Sequence, residues 1–276
     1  MKISRILKGL LEINGKYITD ILNRRRQHIN LKNYDSRELY ERVHREAEPI
    51  FVLSTGRCGT SWLTEVLGHF PELQVFHTPT PELTYHSYMA YTQAESDMRT
   101  AIDMARYEYI RDAFLAERRF VETNNRISFF APELAELYPR AKFIHIIRDP
   151  ETFIRSGVQR SWYSGKKLHD EGRIRPINFP TWEEYSAEEK IAWLWLATNS
   201  FIVEFSSTID TSSFHTVRME DLFSSKASLD NLLTFIGHKN IPHKIFNMMK
   251  KKINASTGNK HVEQLAIHLD KKHLDD

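Results

Sequence analysis

The chain has 276 residues, of which 41% are hydrophobic, 12% aromatic and 27% charged, with 10 glycines and 10 prolines, a composition that excludes a disordered segment, a fibre and a small stapled scaffold. Lys and Arg number 38 against 36 Asp and Glu, a formal charge of +2 with 13 neutral histidines, so no nucleic-acid partner is implied. The single cysteine, Cys58, rules out an intrachain disulfide or a cysteine-cluster metal site and favours a reducing compartment.

Residues 1–46 hold 11 Lys/Arg and 6 Asp/Glu, a local charge of +5. Ile3, Ile6, Leu7, Leu10 and Leu11 recur at helical spacing, which predicts an amphipathic N-terminal helical arm with basic flanks. Arg24, Arg25 and Arg26 permit peripheral contact with an anionic membrane through residues 1–30, although a solvated face beside a docked apolar stripe is the simpler reading. Charges interrupt this segment too often for a signal peptide, and nowhere does the chain offer the roughly 20 apolar residues of a spanning helix. The expectation is a cytoplasmic protein.

The first strand is predicted at 49–53, where Pro-Ile-Phe-Val-Leu leads into Ser54-Thr55-Gly56 and a helix through Ser61, Trp62, Leu63, Val66 and Leu67. A helix at 99–118, a short strand at 119–122 and a helix opened by Ala131-Pro132-Glu133 follow. A second strand-turn-helix unit runs from the strand at 142–147 through Arg148-Asp149-Pro150 into a helix at 152–163. The polar stretch near 165–185 carries isolated Ile174, Ile177, Phe179 and Trp182, and reads as an insertion over a site. Beyond it come a helix at 187–205, a strand at 215–219 and a helix at 228–236 closed by Gly237. Two buried strands feeding helices predict an α/β domain over 47–276 built on a central, mainly parallel sheet.

The turn Gly56-Arg57-Cys58-Gly59-Thr60-Ser61 lies between a strand and a helix, where successive backbone N–H groups and the helix N-terminus favour an anion. Thr60 and Ser61 add hydroxyl donors, and Arg57 can grip two oxygens and stabilise charge as a group leaves. No Gly-Lys pair follows Gly56 as a nucleoside-triphosphatase loop requires, and the dinucleotide pattern of three glycines also fails.

Arg57-Cys58-Gly59-Thr60-Ser61-Trp62, together with the apolar strand ending in Arg148-Asp149-Pro150 and Ser156 eight residues beyond that arginine, resembles the two signatures of the sulfotransferases that use 3′-phosphoadenosine 5′-phosphosulfate. The likeness extends to Arg218-Met219-Glu220-Asp221-Leu222 and Phe235-Ile236-Gly237. It implies a P-loop-like three-layer fold in which Arg57, Cys58, Gly59, Thr60, Ser61 and Trp62 hold the 5′-phosphosulfate, while Arg148 and Ser156 hold the 3′-phosphate. It implies direct transfer of the sulfuryl group to a hydroxyl or amine, on a carbohydrate, glycolipid or other hydroxylated acceptor, with no metal. Cys58 departs from the serine common in relatives and reads as a buried packing residue.

Three residues are candidates for the proton acceptor: Glu122 at a strand end, His77, and Glu82. Glu122 is placed narrowly ahead, against the alternative that it pairs with an arginine while Asn124 and Asn125 cap the turn. His145 reads as a core residue. A small-molecule or nucleoside kinase is the alternative enzyme, and a non-catalytic nucleotide-binding scaffold the alternative outside enzymes.

Overall fold

In the computed structural model, residues 34–92, 97–165, 170 and 172–238 are described. The predicted apolar stripe at Ile3 to Leu11 and the arginines at 24–26 lie outside the described residues, as does the tail from 239.

Five strands form one parallel sheet: β1 (Ile50–Leu53), β2 (Leu73–Phe76), β3 (Arg119–Glu122), β4 (Lys142–Ile147) and β5 (Phe214–Arg218), in the order β2-β3-β1-β4-β5. Side chains alternate across a strand, and here that alternation sorts the core into two layers. Phe51, Leu53, Phe120 and Phe143 face one layer; Ile50, Val52, Val121, Ile144, Ile146 and Val217 face the other. The first layer is covered by α1 (Ser36–Glu46), α3 (Thr84–Thr92), α4 (Met98–Leu115), α5 (Ala131–Leu137), α6 (Pro150–Val158) and α7 (Ala187–Ser206), and the second by α2 (Thr60–Leu67), α8 (Met219–Ser224) and α9 (Lys226–Phe235). Among the described residues, no helix is long and apolar enough to cross a membrane.

Chain order reverses at β1, which pairs with β3 on one side and β4 on the other. In an open parallel sheet the crevice at such a reversal, beyond the carboxyl ends of the strands, is where ligands bind. Four of the five strands deliver a polar residue to that end: Ser54 after β1, His77 after β2, Thr123 after β3 and Arg148 after β4.

His145 sits mid-strand in β4, fully buried, with Nε2 against Asn199 Oδ1 on α7 at 2.9 Å. Burial lowers its pKa. It is a core histidine, as its place in the strand alternation predicts. The helix predicted at 152–163 ends earlier, at Val158, because Trp162 turns back to donate to the Gly157 carbonyl and packs edge-on against Phe153.

The α1 helix is held to α4 by a charged clasp. His44 directs Nδ1 to the Tyr40 carbonyl at 2.8 Å and Nε2 to Asp103 at 2.9 Å. Both partners are acceptors, so both ring nitrogens carry protons. Burial opposes that charge, but the hydrogen bonds the ring donates to Asp103 and to the Tyr40 carbonyl prevail and raise the His44 pKa. Burial likewise opposes ionisation of Asp103, and its bonds to His44 and Tyr40 lower its pKa on balance. The raised histidine stabilises the fold below its unfolded pKa and loses that contribution as pH rises through the folded value. The lowered aspartate contributes above its own unfolded pKa and is lost as pH falls through its folded value. The clasp is therefore complete between about pH 4 and 6.5. The melting temperature is expected to fall as pH rises above about 6.5 and through the raised His44 pKa, and His44→Gln should flatten that part of the profile; equal slopes in the two proteins would contradict the assignment.

Candidate active site

The turn after β1 is shaped for an anion. Gly56, Arg57 and Gly59 have φ of 81°, 57° and 76°, left-handed values that bring successive N–H groups to one side. Gly59 is the N-cap of α2 and supplies no side-chain cap to the helix, so the first N–H groups of α2 and its positive dipole end remain available. A side chain at Gly59 would be strained by its φ and would meet the Phe223 ring at 2.9 Å. Cys58 is buried beneath the turn, its thiol donating to the Gly56 carbonyl at 3.1 Å, and burial pushes its pKa up to about 11. It packs the turn as a neutral thiol. Trp62 is also buried, tilted against Phe223 at 4.8 Å.

Arginines gather on the exposed side of this turn. Arg148, at the end of β4, donates Nη1 to the Arg57 carbonyl at 2.8 Å and Nε to Thr152 at 3.0 Å. Ser156, one face down α6, is buried and receives Arg160 Nη1 at 3.0 Å on its hydroxyl. Partial burial lowers the Arg57 pKa, and the positive charges of Arg160 and Arg148 lower it further. Guanidiniums that repel one another beside an uncapped helix N-terminus are relieved by an anion. Arg160 was not singled out from the sequence, although its spacing of four from Ser156 on one helical stretch is a legible signal.

The three candidate proton acceptors have different surroundings. Glu122 is fully buried with Arg106: Nε reaches Oε2 at 2.6 Å and Nη2 reaches Oε1 at 2.9 Å, while Asn124 donates to Oε1 at 3.0 Å. Both carboxylate oxygens are thus committed to a two-point ion pair behind the sheet end. Glu82 is half exposed and pairs with Arg126 at 2.8 Å. His77 lies beside the turn, with Nε2 3.2 Å from Ser61 Oγ and Nδ1 2.9 Å from Thr123 Oγ1. The loop that carries it is clamped, since Arg106 donates to the Pro81 carbonyl at 3.1 Å and Tyr109 to the Thr80 carbonyl at 3.1 Å.

Beside Arg57 opens a cavity of about 380 Å³, lined on its polar side by Ser54, Thr55, Ser87, Arg126, Arg160 and Arg173. Phe129, Trp162, Ile174 and Leu194 form its apolar wall. Thr198 Oγ1 faces this space from a buried position with no hydrogen-bond partner among the described residues. The stretch near 165–185, predicted to lie over the site, meets α3 here: a Cβ on Gly172 would stand 2.2 Å from the Thr84 carbonyl, and Arg175 lies over the Tyr88 ring at 5.7 Å. Ile174 reaches the cavity and Trp182 is buried against Trp193, whereas Ile177 is 57% exposed. Among the described residues, no group of three or more His, Cys, Asp or Glu is placed to hold a metal ion.

A family model described as the sulfotransferase family matches residues 49–240. Two curated proteins from Mycobacterium bovis and Mycobacterium tuberculosis, each named omega-hydroxy-beta-dihydromenaquinone-9 sulfotransferase Stf3, are 27% identical over 117 residues. Those matches cover 42% of this chain and 28% of each relative, so the chain spans little more than a quarter of the relatives' length. A solved sulfotransferase from Alicyclobacillus acidocaldarius shares the fold, with a TM-score of 0.51 and 17% identity over 83% of this chain and 92% of that one.

Proposed function

The chain belongs to the sulfotransferase family, and from that premise we propose that it transfers a sulfuryl group from 3′-phosphoadenosine 5′-phosphosulfate to the hydroxyl of an acceptor held in the cavity beside Arg57. The observation that carries this reading is the convergence of an uncapped helix N-terminus, a group of arginines and an imidazole at the point where the strand order reverses.

In this reading the turn from Arg57 to Ser61 receives the 5′-phosphosulfate, and Arg148 with Ser156 receives the 3′-phosphate. Arg160, already bonded to Ser156, adds charge on that side. An acceptor oxygen attacks sulfur in line as the bond between sulfur and the bridging oxygen breaks. The electron pair stays with that oxygen, giving 3′-phosphoadenosine 5′-phosphate and the sulfated acceptor. Arg57 stabilises the charge that grows there. The acceptor proton passes to Nε2 of His77, which stands beside Ser61; Ser61 turns its hydroxyl to a phosphate oxygen when the donor binds.

Glu122, preferred on sequence grounds as the base, instead serves as the counter-ion of Arg106 and so helps fix the loop that carries His77. Both of its carboxylate oxygens are already taken, by Arg106 and by the Asn124 amide, and the group is fully buried. Glu82 anchors the same loop through Arg126.

For the acceptor, the mixed lining supports a molecule with both an apolar body and hydroxyl groups, such as a carbohydrate-bearing lipid. Thr198 Oγ1 and Ser87 offer hydrogen bonds, and Phe129, Trp162, Ile174 and Leu194 offer an apolar wall. The curated relatives are named for a hydroxylated acceptor, and the hydroxyl is the part of that name carried over here.

The test is release of 3′-phosphoadenosine 5′-phosphate from the donor, measured with a panel of hydroxylated acceptors. Arg57→Ala is expected to lower kcat by about 10²–10³-fold, because its interaction strengthens as the leaving charge develops. Arg148→Ala is expected chiefly to raise the donor KM. If both variants raised only the donor KM with kcat intact, the role given to Arg57 would be wrong.

A further inference from the structure

We infer that Thr123 and Thr64 are positioning residues that fix His77 in the tautomer with its proton on Nδ1 and its lone pair on Nε2. This rests on the reading of His77 as proton acceptor.

The direction of each hydrogen bond in the chain follows from the groups that can only accept. Thr64 Oγ1 lies 2.8 Å from the Thr60 carbonyl, which has no proton to give, so Thr64 is the donor there. A hydroxyl has one proton. In the 2.6 Å contact between Thr64 Oγ1 and Thr123 Oγ1, Thr64 must then accept, and Thr123 spends its own proton. Thr123 therefore accepts in its 2.9 Å contact with His77 Nδ1, which requires a proton on Nδ1. A neutral imidazole has one N–H, so Nε2 carries the lone pair, and it receives the Ser61 hydroxyl at 3.2 Å.

The competing arrangement has Thr64 donate to Thr123. That sacrifices the 2.8 Å bond to the Thr60 carbonyl and leaves Thr123 to choose between Nδ1 and the Phe76 carbonyl, 3.5 Å away. Only the first arrangement satisfies all four short contacts. Thr123 is fully buried and Thr64 partly so, at neighbouring positions where the end of β3 meets α2. Side-chain hydroxyls thus do what a carboxylate often does for a catalytic histidine: they hold the ring and choose the nitrogen that carries the proton. A hydroxyl partner does so without adding a negative charge beside the site of an anionic donor. In the opposite tautomer Nε2 would present an N–H to the acceptor and could not take its proton.

The test is proton–nitrogen correlation NMR on the full chain labelled with ¹⁵N-histidine, at a pH where the ring is neutral, with the His77 signals assigned by their loss in His77→Gln. The wild-type protein is expected to show the Nδ1–H tautomer. In Thr123→Val, which has nearly the same shape but no hydroxyl, the tautomer ratio should move toward Nε2–H by about 2- to 10-fold. Thr123→Ser should restore it, and Thr64→Val should shift it in the same direction by less. Kinetics on the same proteins should show kcat falling in step with the ratio while the donor KM stays within about twofold, since no donor contact is removed.

An Nε2–H tautomer in the wild type would overturn the inference, as would a ratio that Thr123→Val leaves unchanged in a folded protein. A shifted ratio with kcat unchanged would overturn the positioning role. The NMR arm uses no acceptor, so it decides the relay even if no acceptor is turned over, an outcome that would count against the transferase reading alone.

Discussion

Replacing His77 by alanine is expected to lower kcat by about 10²–10⁴-fold, the usual contribution of a positioned proton acceptor, while leaving the affinity for 3′-phosphoadenosine 5′-phosphate within a few fold. The expectation follows from place. The imidazole bridges Ser61, on the first turn of α2, and Thr123, just past the end of β3, so it stands where the anion-binding turn meets the strand ends. The register of β2 with β3, in which Phe76 lies opposite Glu122, puts the next residue of each strand side by side and makes the contact between His77 and Thr123 a consequence of the sheet. The fold does not depend on the ring, since its loop is separately held by Arg106, Tyr109 and Arg126. A His77→Ala protein with kcat within about threefold of wild type would remove His77 from the chemistry.

Glu122→Gln is expected to act on the fold. The carboxylate and the Arg106 guanidinium are both fully buried, and losing one partner leaves a buried charge uncompensated, at a cost of about 3–5 kcal/mol. Denaturant unfolding should register that loss as a lower midpoint with little change in slope. Because Arg106 also holds the Pro81 carbonyl, some loosening of the His77 loop should accompany it. A buried pair can be stable without being efficient, so an Arg106→Met, Glu122→Met double variant should recover part of the loss. The expected split is a large stability deficit with a modest change in kcat at low temperature, where the protein remains folded. A stable Glu122→Gln protein with kcat reduced about 10²-fold or more would return the proton-acceptor role to Glu122.

Much of the sheet was legible because its inner strands are continuous apolar runs. Ile50–Leu53 and Lys142–Ile147 are buried on both faces, with only β4's ends half covered, and such runs bounded by turns read plainly as parallel strands. The edge strand β2 was not legible: Leu73–Phe76 is four residues long, contains Gln74, and only Leu73 is fully buried, so its pattern merges with the turn before it. The strand-to-helix turn from Gly56 to Ser61 was legible because glycines, hydroxyls and arginine fall within one short segment.

The choice among the three candidate proton acceptors was not legible, for a physical reason. Whether Glu122 is available depends on Arg106, 16 residues away on another element, and the orientation of His77 depends on two threonine hydroxyls 59 residues apart in the chain. A carboxylate at a strand end reads the same in sequence whether or not a buried guanidinium already holds it. Arg160 falls between these cases, with its helical spacing from Ser156 visible in the sequence and its nearness to Arg57 a product of the fold.

Calorimetric titration with 3′-phosphoadenosine 5′-phosphate and with adenosine 5′-phosphate tests the central claim most directly, since it needs no knowledge of the acceptor. The assignment of Arg148 and Ser156 to a 3′-phosphate predicts that the bisphosphate binds at least about tenfold more tightly, two charge-assisted contacts contributing about 1.4 kcal/mol or more, and that Arg148→Ala brings the two affinities together. Equal affinity of the wild-type protein for the two nucleotides would contradict the account.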